Sequence, residues 1–292
     1  MKKLIAFLTL FLCIQSYLWA QDNMQVFVFD IAINTEKIEL SNPIEIPHNE
    51  GYNNQPYFIS NQELLFSSNN DGQADILKYN LETGKKQWMN TATEGGEYSP
   101  QSIPNSDDIA AVRLDPDGLQ RLYRYDGKKG TSSLLIEDIQ VAYFAFYNAD
   151  NILGTVLNGE TMDLVTIDLN TQTVDTIVSE AGRGIQRIPA MDKMSYTSVN
   201  ESNQMDVYLW NMDSGESVFI CQLPYGVQDY VWLNDSQILS GSGNRLFMYD
   251  TWGDAEWFQV GSTEKYGLKD ITRMALSPDG KKLAVVGKKK LW

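Results

Sequence analysis

Leu276-Ser277-Pro278-Asp279-Gly280-Lys281-Lys282-Leu283-Ala284-Val285-Val286 reads as a tight turn that feeds a buried strand. Pro278 presets φ at the second turn position, and Gly280 accepts a positive φ. Asp279 can bond the backbone two residues on, which gives it a structural task. The apolar run that follows is short and bounded by polar residues, as expected of a strand covered on both faces. Comparable runs occupy residues 63–66, 109–112, 152–155, 194–197 and 238–240.

Each run lies next to a strand that ends on an apolar or aromatic residue followed by Asp or Asn. This landmark occurs as Phe29-Asp30, Tyr79-Asn80, Tyr125-Asp126, Ile167-Asp168, Trp210-Asn211 and Tyr249-Asp250, at steps of 50, 46, 42, 43 and 39 residues. Turns rich in Gly, Asn and Asp come next, residues that tolerate left-handed backbone. A four-stranded propeller blade takes about 40–45 residues, so six landmarks imply six blades. Helical periodicity is nearly absent after residue 20. The expected fold is all-β: a six-bladed β-propeller of four-stranded antiparallel blades.

The two ends of the repeat complement each other. The last apolar strand has only Gly287 to Trp292 after it, whereas the chain after residue 23 starts directly at a landmark strand. Residues 24–46 are therefore expected to supply the outer strands of the blade whose inner strands are residues 270–287. That arrangement closes the ring and covers strand edges that would otherwise invite aggregation. A competing third strand beginning at Leu291-Trp292 is the alternative.

The first residues have another purpose. Lys2 and Lys3, an apolar run over residues 4–14, and Ala20 before Gln21-Asp22 follow the order of a secretory leader cleaved after Ala20. Cys13 does not suit lipidation, because Leu12 stands where a small residue is needed. The expected organisation is a signal peptide at 1–20 and one propeller domain at 21–292, in a soluble, exported protein, periplasmic or secreted. Cys221 is then the lone cysteine, so no intramolecular disulfide can form. The chain has 38 Asp+Glu against 23 Lys+Arg, a formal net charge of −15. Such a surface disfavours nucleic acid and anionic lipid.

The stretch from Leu276 to Val285 resembles the S-P-D-G-K-x-L-A-F signature of TolB-type, WD-like propeller repeats. Ser67-Ser68-Asn69-Asn70-Asp71-Gly72-Gln73-Ala74-Asp75-Ile76 is similar to the next part of that repeat, S-N-R-D-G-x-x-D-I-Y. Ile103-Pro104-Asn105-Ser106-Asp107 and Leu233-Asn234-Asp235-Ser236 look like degenerate copies of the first turn. The resemblance implies an exported protein-binding propeller, since TolB is a periplasmic interaction protein of the cell envelope. The additional N-terminal α/β domain of TolB is expected to be missing, so the resemblance does not imply TolB's own role.

Few enzymatic constellations fit. His48 is the only histidine and no G-x-S-x-G elbow accompanies it, so a serine triad has little to build on. One His and one mature Cys exclude a zinc site of the His/Cys kind. The acidic turn from Asn69 to Asp75 lacks a glutamate at the twelfth position of a calcium loop. Asp115-Pro116-Asp117-Gly118 reads as a turn, and Gly182-Arg183-Gly184 is too short to cradle a phosphate. No cofactor or metal is expected.

Propellers usually gather ligands at the central channel, which the first strand of each blade lines. Spacing nominates Gln55, Tyr98, Tyr143, Arg187, Asp229, Tyr230 and Arg273, with Pro56, Ser99, Gln186 and Thr272 beside them. A slip of one residue reverses which face each side chain occupies. The set suits an uncharged or anionic ligand, such as a peptide carboxylate or a glycan fragment. It equally suits tyrosines packed between blades and arginines bonded to blade carbonyls. The expected function is a non-enzymatic binding or scaffold protein of the cell envelope, with a protein, peptide or glycan partner and no membrane span. The alternatives are a glycan lyase, hydrolase or lactonase using channel carboxylates, with calcium a further option, and a small-molecule sensor or carrier.

Overall fold

Turn chemistry explains why the landmark repeats. Asp126 Oδ1 accepts the backbone N–H groups of Lys128 and Lys129 at 2.9 and 2.7 Å. Asn80, Asp168, Asn211 and Asp250 bond the backbone two residues ahead in the same way. Each closes the turn between the third and fourth strands of its blade. The residue before each is buried: Tyr125 at 0% exposure, Ile167 at 1%, Tyr79 at 6%, Tyr249 at 7% and Trp210 at 8%. One dipeptide therefore anchors a strand in the core and turns the chain. The turn at Ser277 behaves as its sequence implies, with Lys281 N donating to Asp279 Oδ1 at 3.1 Å and Gly280 at φ +70°.

A computed structural model describes residues 24–34, 37–47, 50–90 and 93–289. The leader expected at residues 1–20, His48 and Leu291-Trp292 lie outside them. In the described residues, 24 strands form six four-stranded antiparallel sheets. The chain opens with β1 (Met24–Ile33) and β2 (Ile38–Glu45). The first full blade is β3 (Asn53–Phe58), β4 (Glu63–Asn70), β5 (Gln73–Asn80) and β6 (Lys86–Trp88). The second is β7 (Gly96–Ser102), β8 (Ile109–Leu114), β9 (Gln120–Tyr125) and β10 (Ser132–Leu134). The third is β11 (Val141–Phe146), β12 (Asn151–Asn158), β13 (Thr161–Asp168) and β14 (Thr173–Val178). The fourth is β15 (Ala181–Arg187), β16 (Met194–Val199), β17 (Met205–Trp210) and β18 (Ser217–Gln222). The fifth is β19 (Val231–Trp232), β20 (Gln237–Ser242), β21 (Arg245–Asp250) and β22 (Phe258–Ser262). β23 (Leu268–Leu276) and β24 (Lys282–Lys289) complete the ring.

The sixth sheet has the order β2-β1-β24-β23, so the two ends of the chain share one blade. Val26 pairs with Val286 and Phe29 with Leu283. Side chains alternate across this seam as a strand requires. Phe27, Phe29 and Ile31 pack with Leu239, Leu246 and Met248 of the fifth blade. Val26 and Val28 pack with Leu64 and Phe66 of the first. Lys282 Nζ adds an ion pair to Asp30 Oδ1 at 2.8 Å, and that contact holds the Asp30 carboxyl below its usual range.

Between the first and second blades lies a pair of acids with no cation bonded to them among the described residues. Glu97 is 0% and Asp75 5% exposed. Glu97 accepts from Thr93 Oγ1 at 2.5 Å, Tyr125 Oη at 3.0 Å and Asn90 Nδ2 at 3.2 Å, and bonds Asp75. Burial raises its pKa from 4.5 to about 8, with the Asp75 bond adding to the rise and Thr93 and Tyr125 opposing it. The folded protein thus keeps a proton that the unfolded chain loses.

Two outcomes are expected. Phe29→Ala should cost about 3–5 kcal/mol in urea unfolding, and Ile33→Ala, at a site 37% exposed, only about 0.5 kcal/mol. An unmoved midpoint for Phe29→Ala would deny the seam its role. The Glu97 contribution is full below pH 4.5 and declines as pH rises towards about 8, because the native state binds the extra proton across that window. Glu97→Gln should therefore flatten the stability profile between those pH values, and equal slopes would refute the assignment.

Candidate functional site

The first strands of five of the six blades carry irregularities that re-aim their side chains. Register shifts interrupt β3 between Asn54 and Tyr57, β7 between Tyr98 and Gln101, β15 between Ala181 and Ile185, and β23 between Lys269 and Arg273. Gln55 and Ser99 occupy positive φ, +58° and +53°, within two of them. Bulges of this kind turn a strand and redirect its side chains. Here they line two cavities along the ring axis.

The larger cavity, of about 790 Å³, opens among the turns between first and second strands, with Pro104, Pro189 and Pro278 on its wall. The smaller, of about 170 Å³, opens at the other end beside Gly226 and Gly243. Arg183, Asp229 and Arg273 border both.

These three residues come from three successive blades. Arg273 Nη1 donates to Asp229 Oδ2, and the Arg273 guanidinium lies over the Tyr143 ring, 5.5 Å from its centroid. Arg183 Nη2 donates to the Thr272 carbonyl at 3.1 Å. Its Nε stands 4.0 Å from Asp229 Oδ2 and makes no hydrogen bond among the described residues. Burial opposes the Arg273 charge, yet the Asp229 carboxylate keeps its pKa above the ordinary arginine value. Burial and the Arg273 charge lower that of Arg183, with Asp229 opposing. Two guanidinium groups thus share one carboxylate, and an arginine fork suits a second carboxylate.

Gln55, Tyr143, Arg187, Asp229 and Arg273 all border the larger cavity. Arg187 does so at the rim, with 54% of its side chain exposed and an ion pair to Asp192 at 3.5 Å. Tyr230 points elsewhere. It is 1% exposed and donates to Ser195 Oγ at 2.7 Å, an atom that also accepts from Trp232 Nε1 at 2.8 Å. It packs between blades four and five. Tyr98 meets Tyr52 edge-on at 5.5 Å and is absent from the cavity wall.

Arg183 is the residue that spacing misses, and its signal is the pair of glycines around it. A Cβ on Gly184 would come within 2.9 Å of the Tyr230 ring, and one on Gly182 within 2.3 Å of Thr197 Oγ1. Only glycine lets this bulge press against its neighbours and carry the arginine to the axis. Among the described residues, no group of three His, Cys, Asp or Glu side chains is placed to hold a metal ion.

Asp229→Asn should destabilise the protein by about 3–5 kcal/mol, because it leaves two partly buried guanidinium groups without their counter-charge. Arg187→Ala should change stability by about 0.5 kcal/mol or less. Equal denaturation midpoints for the two variants would contradict this account.

No protein family and no curated protein matches the sequence. Solved structures do. A protein described as a TolB from Agrobacterium tumefaciens is 16% identical with a TM-score of 0.69, over 92% of this chain and 99% of that one. TolB from Acinetobacter baumannii is 11% identical with a TM-score of 0.58, over 91% of this chain and 64% of its own. Oligogalacturonate lyase from Vibrio parahaemolyticus is 10% identical with a TM-score of 0.52, over 91% of this chain and 98% of its own. Identities this low speak for the fold alone. The fold of this chain is that of the TolB-type six-bladed β-propellers.

Proposed function

We propose that the protein is a non-enzymatic binding or scaffold propeller of the cell envelope, which captures an anionic group of a protein, peptide or glycan in its larger axial cavity. One observation carries the reading: Arg183 and Arg273 share the single carboxylate of Asp229 on the cavity floor. The floor therefore holds an excess positive charge inside a protein whose formal net charge is −15. Charge of that sign in a recess, beside apolar walls, attracts and orients an anion. Export is part of the proposal and draws on Lys2, Lys3, the apolar run after them and Ala20. Among the described residues no helix is long and apolar enough to cross a membrane.

A second reading, an enzyme acting on acidic glycans, draws on the same guanidinium pair, which suits a uronate carboxylate. Asp229 itself is engaged by Arg273, which leaves it poorly placed to move a proton.

The test titrates the protein with short peptides and oligogalacturonides, each as free acid and as amide or methyl ester. Whichever class binds should do so as the free acid, with its neutral form about 10-fold to 100-fold weaker. Arg183→Gln with Arg273→Gln should abolish the difference. Equal binding of charged and neutral forms across the set would overturn the proposal, and accumulation of an unsaturated sugar would favour the enzyme.

A further inference from the structure

Arg183, Asp229 and Arg273 border both the larger cavity and the smaller one at the other end of the axis. An anion that reaches these residues while its chain stays on the side of the larger cavity sits at the tip of whatever enters. A carboxylate in the middle of a chain would need that chain to double back or pass through the floor.

The wall narrows the chemistry further. Pro56, Pro100, Pro104, Pro189 and Pro278 line it, five of the nine prolines in the chain. They present rigid rings that offer no hydrogen bonds. The amides near the axis are already engaged. Gln101 Nε2 donates to the Phe144 carbonyl at 2.6 Å, and Gln186 Nε2 donates to that of Tyr230. Gln55 Oε1 accepts from Ser99 N at 2.9 Å. A glycan needs many donors and acceptors for its hydroxyls, and each of these amides commits one of its polar atoms to the protein. A chain of uronates would also bring many negative charges towards an acidic protein, whereas a single terminal carboxylate brings one.

From these observations we infer that the cavity takes the free C-terminus of an extended polypeptide, with apolar side chains against the proline wall and its terminal carboxylate on Arg183. The inference rests on the anion-binding reading above. Arg273 is hydrogen-bonded to Asp229, whereas Arg183 Nε stands 4.0 Å from that carboxylate and makes no hydrogen bond among the described residues, so Arg183 is the less engaged of the two guanidinium groups. Arg273 and Pro278 are five residues apart on one strand and its turn, roughly 15 Å at the rise of a strand. An extended peptide crosses that depth with about four or five residues.

Fluorescence anisotropy with N-terminally labelled pentapeptide libraries of apolar residues tests this. Free C-terminal acids should bind the full-length protein. C-terminal amides should bind about 10-fold or more weakly, as should amides with an aspartate at the central position. Trigalacturonate should not displace the free acids. Arg183→Lys, which keeps the charge and loses the fork, should weaken the acids and leave the amides unchanged, with its melting transition measured as a check on folding. If the internal aspartate restores full binding, recognition of a chain end is overturned while anion binding stands. Displacement by trigalacturonate would likewise overturn the polypeptide in favour of a glycan. If neither acids nor oligogalacturonides bind, the anion-binding reading itself fails.

Discussion

Every sheet in this ring buries both of its faces, so none can stand without a neighbour on each side. The seam blade displays the constraint most directly. Its β1 strand sends Phe27 and Phe29 into one cluster and Val26 and Val28 into another, and the two clusters include residues of different adjoining blades. An open fan of the same sheets would leave one apolar face at each end exposed. Pairing of β1 with β24 from Met24–Lys288 to Asp30–Lys282 removes both faces at once. Closure also fixes the axis. Arg183, Asp229 and Arg273 come from the fourth, fifth and sixth blades, and they meet only because the ring sets those blades at fixed angles.

The interior near the axis combines two kinds of polar group. Amides such as Gln101 and Gln186 bridge neighbouring blades by donating Nε2 to backbone carbonyls. The charged triad is different, with two cations to one anion and a guanidinium nitrogen without a hydrogen bond. Buried polar groups in folded proteins are almost always satisfied. Their distribution here separates the residues that brace the ring from those with unused capacity. The Glu97–Asp75 pair, by contrast, resolves its charge by holding a proton, which suits a joint between blades.

Local chemistry made the ring legible in the sequence. The landmark Asp or Asn bonds backbone only two or three residues ahead, so its signature is written in consecutive letters. The seam was readable too, because the half-blades at the two ends of the repeat complement each other. The axis was harder. Spacing brings Asp229 and Arg273 there, yet it selects Arg187 from the fourth blade, where a bulge between Ala181 and Ile185 delivers Arg183 instead. Tyr230 falls next to Asp229 in sequence and on the opposite side in space, packed on Ser195. Such one-residue displacements depend on contacts with Thr197 and Tyr230 that lie far along the chain. No local pattern records them.

The shared blade also imposes an order in time. β1 is the earliest described strand to be synthesised, and its partner β24 is the last. Until β24 arrives, β1 is paired with β2 alone, and its inner edge, with Val26, Phe27 and Phe29 on it, remains available to any sticky surface nearby. Loop closure over almost the entire chain then comes late, and non-local pairing of this kind slows folding. A polypeptide built this way depends on something to shield its leading strand during synthesis, and that vulnerable interval ends only when the final residues of β24 are released.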